Sequence, residues 1–133
     1  MTVQEKLLLN ALSAMYPHGV VLHFDSKVGQ DDEALFSIRD NGNKYLINDS
    51  YYLSEVKPYL RPMSSMTEEE WASFRSTMIK EKQRNYPDSC DFSVTTYYSY
   101  TAQTFDWLNE NKFDYRGLIP KGLALEAPKG MYN

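Results

Sequence analysis

The stretch Phe36-Ser37-Ile38-Arg39-Asp40-Asn41-Gly42-Asn43-Lys44-Tyr45-Leu46-Ile47 decides the fold class. Asn-Gly between two β-like runs is a strong hairpin signal, because both residues tolerate the positive φ of a type I′ turn. A two-residue turn at Asn41-Gly42 predicts Asp40 opposite Asn43, Ile38 opposite Tyr45 and Phe36 opposite Ile47. The large apolar residues then share one face, while Ser37, Arg39 and Lys44 form the other. Upstream, Val20, Leu22 and Phe24 alternate with Val21, His23 and Asp25, so the first set faces a core. An acidic loop over residues 25–33, with Asp25, Asp31, Asp32 and Glu33, joins this strand to the hairpin as a three-strand meander.

Helices flank the strands. Thr2-Val3-Gln4-Glu5 is a capping box, and Val3, Leu7, Leu8, Ala11, Leu12 and Met15 lie on one helical face before Pro17-His18-Gly19 stops it. Thr67-Glu68-Glu69-Glu70 is a second box, with three carboxylates at the positive end of a helix dipole. Trp71, Phe74, Met78 and Ile79 read as the buried stripe of that helix, and Lys80, Lys82 and Arg84 suit its negative end. Residues 48–66 read as irregular, because Lys57-Pro58 and Arg61-Pro62 push the preceding residues away from helix. Residues 91–100 read as a fourth strand, with Phe92, Val94, Thr96, Tyr98 and Tyr100 on one face and Tyr97 on the polar one. Thr101 caps a short helix that buries Phe105 and Leu108, and residues 127–133 read as a frayed tail. The expected fold is α+β: one domain over residues 1–133, ordered over about 2–126. It holds an antiparallel sheet of three to four strands, with two longer helices and one short helix packed on one face.

Composition fits one core and not two. Of 133 residues, 29 are Leu, Ile, Val or Phe, and 11 of the 19 aromatics are tyrosine. The net charge of −4 argues against a dedicated duplex-DNA binder, which carries a basic face. Cys90 is the only cysteine, so no intrachain disulfide forms, which fits a reducing compartment. No window approaches the length of a membrane span. The apolar run after Lys6 is broken by Asn10 and Ser13, with Glu5 where a signal peptide would be positive. A cytoplasmic protein is expected.

Catalytic and metal motifs are missing from the sequence. His18, His23 and Cys90 are too few and too badly spaced for a zinc site. No nucleophile elbow or phosphate-binding glycine loop is present, and neither Gly29 nor Gly42 completes a calcium loop. The sequence therefore predicts no metal and no cofactor, and no enzyme.

Two segments carry a resemblance. Leu60-Arg61-Pro62-Met63-Ser64-Ser65-Met66-Thr67 is one, and Phe113-Asp114-Tyr115-Arg116-Gly117-Leu118-Ile119-Pro120-Lys121-Gly122-Leu123-Ala124 is the other. The chain resembles small uncharacterised proteins of phages and prophage-like elements of gut anaerobes, over about residues 57–128. That group has no assigned activity, so the resemblance implies a setting and an accessory role, and no catalytic residues.

The expected function is that of a non-enzymatic accessory protein of a phage or mobile element, acting through contact with protein, either another chain or itself. Tyrosine offers large contact area at low entropic cost. The candidate contact residues are Tyr97, which burial does not explain, with Tyr59, Tyr115, Arg61 and Arg116. A second reading is nucleic-acid association through residues 57–84, which carry a net charge of +2, together with neighbouring tyrosines. A third is a small-ligand binder or enzyme using carboxylates near Asp25 and Glu33.

Overall fold

Val56, Pro58 and Leu60 are buried and alternate with the half-buried Lys57 and Tyr59. This two-residue period makes residues 56–60 a strand, although two prolines flank its end and centre. The computed structural model describes residues 2–24, 31–33, 38–41, 44–47, 51–85 and 93–132. In chain order it holds α1 (Val3–Met15), β1 (Val21–Phe24), β2 (Asp31–Glu33), β3 (Ile38–Asn41), β4 (Lys44–Ile47), β5 (Tyr51–Tyr52) and β6 (Val56–Leu60). There follow α2 (Glu68–Ser76), β7 (Ile79–Asn85), β8 (Ser93–Ser99), α3 (Ala102–Glu110) and β9 (Leu125–Glu126). The fold is α+β. Two compact units form, one from Met1–Ser65 with Asn109–Asn133 and one from Met66–Leu108. No described helix is long and apolar enough to cross a membrane.

In the first unit a four-stranded sheet runs in the order β2-β1-β6-β9. β1 is antiparallel to β2 and to β6, with Leu22 opposite Asp32 and Pro58, whereas β9 runs parallel to β6. Asp31, Asp32 and Glu33, expected in a loop, are paired as a strand instead. Residues 48–66, expected to be irregular, supply β5 and the central strand β6. A proline is tolerated in β6 because β9 lies beside Tyr59 and Leu60 only, leaving Pro58 where the sheet is one neighbour short.

The hairpin forms with a register different from the expected one. Ile38 pairs with Ile47, Arg39 with Leu46, Asp40 with Tyr45 and Asn41 with Lys44. The expected Ile38–Tyr45 pair is thus corrected, and Phe36 and Gly42 lie outside the described residues. The shift moves the pairing sum by two, so Ile38, Tyr45 and Ile47 keep a common face, which a slip by one would have reversed. It sets two β-branched side chains opposite each other where Ile47 is fully buried. β4 also pairs with β5, through Leu46–Tyr52 and Ile47–Tyr51, whereas β1 pairs with β2 and β6 and not with β3, so the expected meander does not form.

The core of this unit joins Leu8, Ala11, Leu12 and Met15 of α1 to Leu22, Phe24, Ile47, Val56, Leu60, Leu118 and Ala124. Thr2 Oγ1 accepts the Glu5 N–H at 3.1 Å, as the first capping box predicts. Val3, counted on the buried face, is exposed, because only one turn further along does the helix reach the core.

The C-terminal segment is not a frayed tail. Ala127 donates its N–H to the Leu60 carbonyl at 2.8 Å. The Tyr132 hydroxyl donates to the Tyr59 carbonyl at 2.6 Å and accepts the Val21 N–H at 3.0 Å. One phenol therefore satisfies backbone groups of two adjacent strands, β1 and β6.

In the second unit the expected long helix ends at Ser76. Residues 79–85 instead form β7, antiparallel to β8 from Ile79–Ser99 through Asn85–Ser93. Lys80, Glu81, Lys82, Gln83 and Arg84 are good helix formers, so local propensity misleads here. Non-local pairing with β8, whose Val, Thr and Tyr residues strongly favour strand, decides the outcome.

Tyr132→Phe should destabilise the chain by about 1–3 kcal/mol, since it leaves the Val21 N–H without its acceptor. Denaturant melts of the two proteins measure this. A truly frayed tail would give no change.

Candidate functional site

Threonine hydroxyls build the second unit. At the start of α2, Thr67 and Glu70 exchange side-chain to backbone bonds at 3.1 Å each, the predicted capping box. At its end, the Thr77 carbonyl accepts from Thr101 Oγ1 at 2.9 Å and from Thr104 Oγ1 at 3.0 Å. Thr101 and Thr104 also cap α3 reciprocally, each hydroxyl accepting the other's N–H, at 2.9 and 3.2 Å. Thr104 is fully buried, and every one of its polar groups in this cluster is used. The C-terminus of α2 is thereby tied to the N-terminus of α3.

That lock fixes a group of aromatic rings. Phe74 is buried at the centre, with the rings of Trp71, Tyr100 and Trp107 at centroid distances of 5.8, 5.6 and 5.6 Å. Tyr100 meets Phe105 edge-on at 5.5 Å. The edge-to-face arrangement suits the aromatic quadrupoles. Yet Trp71 is 40% exposed, Tyr100 44% and Phe105 41%. In the ribbon of β7 and β8, Ile79, Tyr97 and Tyr98 are exposed as well, the two tyrosines at 44% and 45%. Exposed polar residues flank the rings along the chain, including Arg75, whose Nε donates to the Trp71 carbonyl at 3.3 Å.

Three expectations are corrected here. The expected buried stripe of Trp71 with Ile79 does not form, because α2 is nine residues long and Ile79 lies beyond it in β7. Phe105 was expected inside α3, but Thr104 takes the inward position to reach Thr77. Tyr98, expected on a core face, is exposed too, because the residues on both faces of this end of the ribbon are exposed among the described residues, and Tyr100, just past the strand, is exposed although it packs on Phe74. A helix-stripe reading conceals these side chains. The signal that could expose them is the run Ser93–Ser99, whose strong strand propensity demands a partner that only residues 79–85 supply.

The other candidate residues belong to the first unit. Arg61 lays its guanidinium 4.3 Å from the centroid of the Phe113 ring, and its backbone pairs with Lys112 and Asp114 at 2.8 Å each. Arg116 covers the Tyr115 ring at 4.4 Å and donates to Asn109 Oδ1 at 3.3 Å, which also accepts the Tyr115 hydroxyl at 3.0 Å. Tyr59 is half-buried and packs edge-on against His23 at 6.2 Å. Asp114 accepts the N–H groups of Leu118 and Ile119 at 2.8 and 2.9 Å. Gly117 and Gly122 adopt the left-handed φ that this turn demands. The two segments that carry the resemblance thus pack on each other, with Arg61 and Arg116 engaged inside the chain. Tyr97 belongs to the other unit. Nearby, burial lowers the pKa of Lys112, against the opposing pull of Glu110.

Other chemistry is sparse. A cleft of about 290 Å³ opens beside α1, lined by Thr2, Glu5, Leu8, Val56, Lys57 and Leu123, at the small end for ligand sites. Among the described residues, no three His, Cys, Asp or Glu side chains gather as metal ligands. Asp25 and Cys90 lie outside the described residues.

Thr104→Val keeps the shape but removes the hydroxyl shared by Thr77 and Thr101. It should cost about 1–3 kcal/mol in a denaturant melt. Trp71→Ala should fall below the roughly 3–5 kcal/mol typical of a fully buried Trp, since its ring is partly in water already.

No protein-family model matches this chain, and comparisons with curated proteins and with solved structures return no match either.

Proposed function

We propose that this is a non-enzymatic accessory protein that acts through protein–protein contact, using the exposed aromatic surface of the second unit. The observation that carries this reading is the group of rings in which Trp71 and Tyr100 pack on Phe74 and Phe105 packs on Tyr100, all three left open to water. Clustered, pre-organised aromatics with a polar and arginine-bearing rim are what contact surfaces are enriched in. Holding these rings by the Thr77–Thr101–Thr104 bonds removes much of the ordering cost that binding would otherwise carry. The arginine of this rim is Arg75, whereas Arg61 and Arg116 serve the first unit. The phage or mobile-element setting rests on the resemblance of the two packed segments. The cytoplasmic setting rests on cysteine usage and on the interrupted N-terminal apolar run.

One observation favours a second reading, association with single-stranded nucleic acid. Lys80, Lys82 and Arg84 alternate along β7, and Lys80 lies opposite Tyr98. Against it, residues 66–108 hold seven acidic and four basic residues.

The test is capture by the immobilised full chain from cells that produce it, comparing wild type with Trp71→Ser, Phe105→Ser. The double variant should keep its fold by circular dichroism and lose the captured protein. Equal capture by both would overturn the reading. Titration with a fluorescent single-stranded oligonucleotide at low salt checks the second reading, which requires binding that Lys80→Glu abolishes.

A further inference from the structure

β7 and β8 form a two-stranded sheet of seven residue pairs. A two-stranded ribbon is at best marginally stable unless a third strand or a covering layer supports it. Here Ile79, Lys80 and Glu81 on one strand, and Thr96, Tyr97, Tyr98 and Ser99 on the other, are all exposed. Each strand pairs on one side only among the described residues, so each has an outer edge of N–H and C=O groups.

The two edges differ in kind. β7 reads Ile-Lys-Glu-Lys-Gln-Arg-Asn, and its charges are the usual protection of an edge against another strand. β8 reads Ser-Val-Thr-Thr-Tyr-Tyr-Ser, with no charge, no proline and no glycine. It is also self-complementary. Laid antiparallel on a copy of itself about Thr96, it sets Thr96 opposite Thr96, Thr95 opposite Tyr97, Val94 opposite Tyr98 and Ser93 opposite Ser99. Threonine pairs and aromatic with β-branched pairs are the favoured cross-strand neighbours. The same operation on β7 sets Lys82 opposite Lys82 and Lys80 opposite Arg84, which repel.

We propose that the occupant of this edge is a second copy of the chain: two β8 strands pair about a twofold axis and complete a four-stranded sheet, β7-β8-β8-β7. The proposal rests on the second unit being a contact surface and names its partner. A self-complementary patch is what an isologous dimer requires. Charge placement agrees. With strands about 4.8 Å apart, the two basic β7 strands stand roughly 14 Å from each other, beyond the screening length of about 8 Å at physiological salt. Tyr97 and Tyr98 then lie beside the new seam, one on each face.

Sedimentation equilibrium of the full chain over a wide concentration range tests this, with Thr96→Glu as the deciding variant. Within one chain the new carboxylate sits opposite Lys82, so the ribbon is retained. In the dimer it meets its own copy at the axis, and self-association should weaken about fivefold or more. Thr96→Val should dimerise at least as well as wild type. Mixing Thr96→Glu with the double variant Thr96→Lys, Lys82→Glu should restore a heterodimer. A wild-type monomer at every concentration, or a dimer indifferent to Thr96→Glu, would overturn the proposal. Loss of capture by Trp71→Ser, Phe105→Ser alongside a monomeric wild type would sink the dimer and leave the contact-surface reading standing. Unchanged capture together with a monomeric wild type would sink both.

Discussion

The first unit depends on satisfying the backbone of β6. This strand is buried on one face and carries a proline at its centre, so its remaining main-chain groups must all find partners. β1 serves one side. Beyond that ladder the groups are served from the far end of the chain: Tyr59 by the Tyr132 hydroxyl, Leu60 by Ala127 and, just past the strand, Arg61 by Lys112 and Asp114. An unpaired buried group costs about 1–3 kcal/mol, and several act together here. Residues 112–132 are held in place by that demand, despite their glycines and prolines. The Asp114 carboxylate then shapes the turn that delivers Leu118 to the core.

The second unit solves a different problem with the same means. Its helices are short and its ribbon has two strands, and among the described residues its buried apolar side chains are Met66, Phe74 and Leu108. Hydrogen bonds to the Thr77 carbonyl take over the positioning that a larger core would provide. Phe74 alone of the five rings is fully enclosed. The others gain edge-to-face or tilted ring contacts without leaving water entirely, which leaves them both packed and accessible. That combination suits recognition, where ordering a side chain during binding would weaken the complex.

Helix starts were legible in the sequence because a cap is a local event. Thr2 and Thr67 need only the amide three residues ahead, and both caps appear where the spacing places them, with the reciprocal bond of a full box at Thr67 and Glu70. The strand over 93–99 was legible for a related reason, since β-branched and aromatic residues at consecutive positions leave few alternatives. The candidate site was less legible. Tyr97 stood out as a tyrosine on a polar face, but Trp71, Tyr100 and Phe105 were hidden by helical periodicity that stops at Ser76. Arg61 and Arg116 look like interface arginines by type, yet each stacks on a ring of its own unit.

The sequence by itself determined the α+β class, the helix caps, the hairpin's shared apolar face and the absence of any recognised catalytic motif. These follow from contacts within a few residues or from the period of two that a strand imposes. The hairpin register, the strand fate of residues 79–85, the central place of β6 and the anchoring of Tyr132 depend on contacts between distant segments. Each of these is a choice between locally acceptable alternatives. A register shifted by two preserves the faces, and lysine-rich segments accept helix or strand. A terminal tyrosine has no partner until β1 and β6 lie side by side. Long-range hydrogen bonding settles such choices, because its partners are separated by up to 111 residues and leave no local trace.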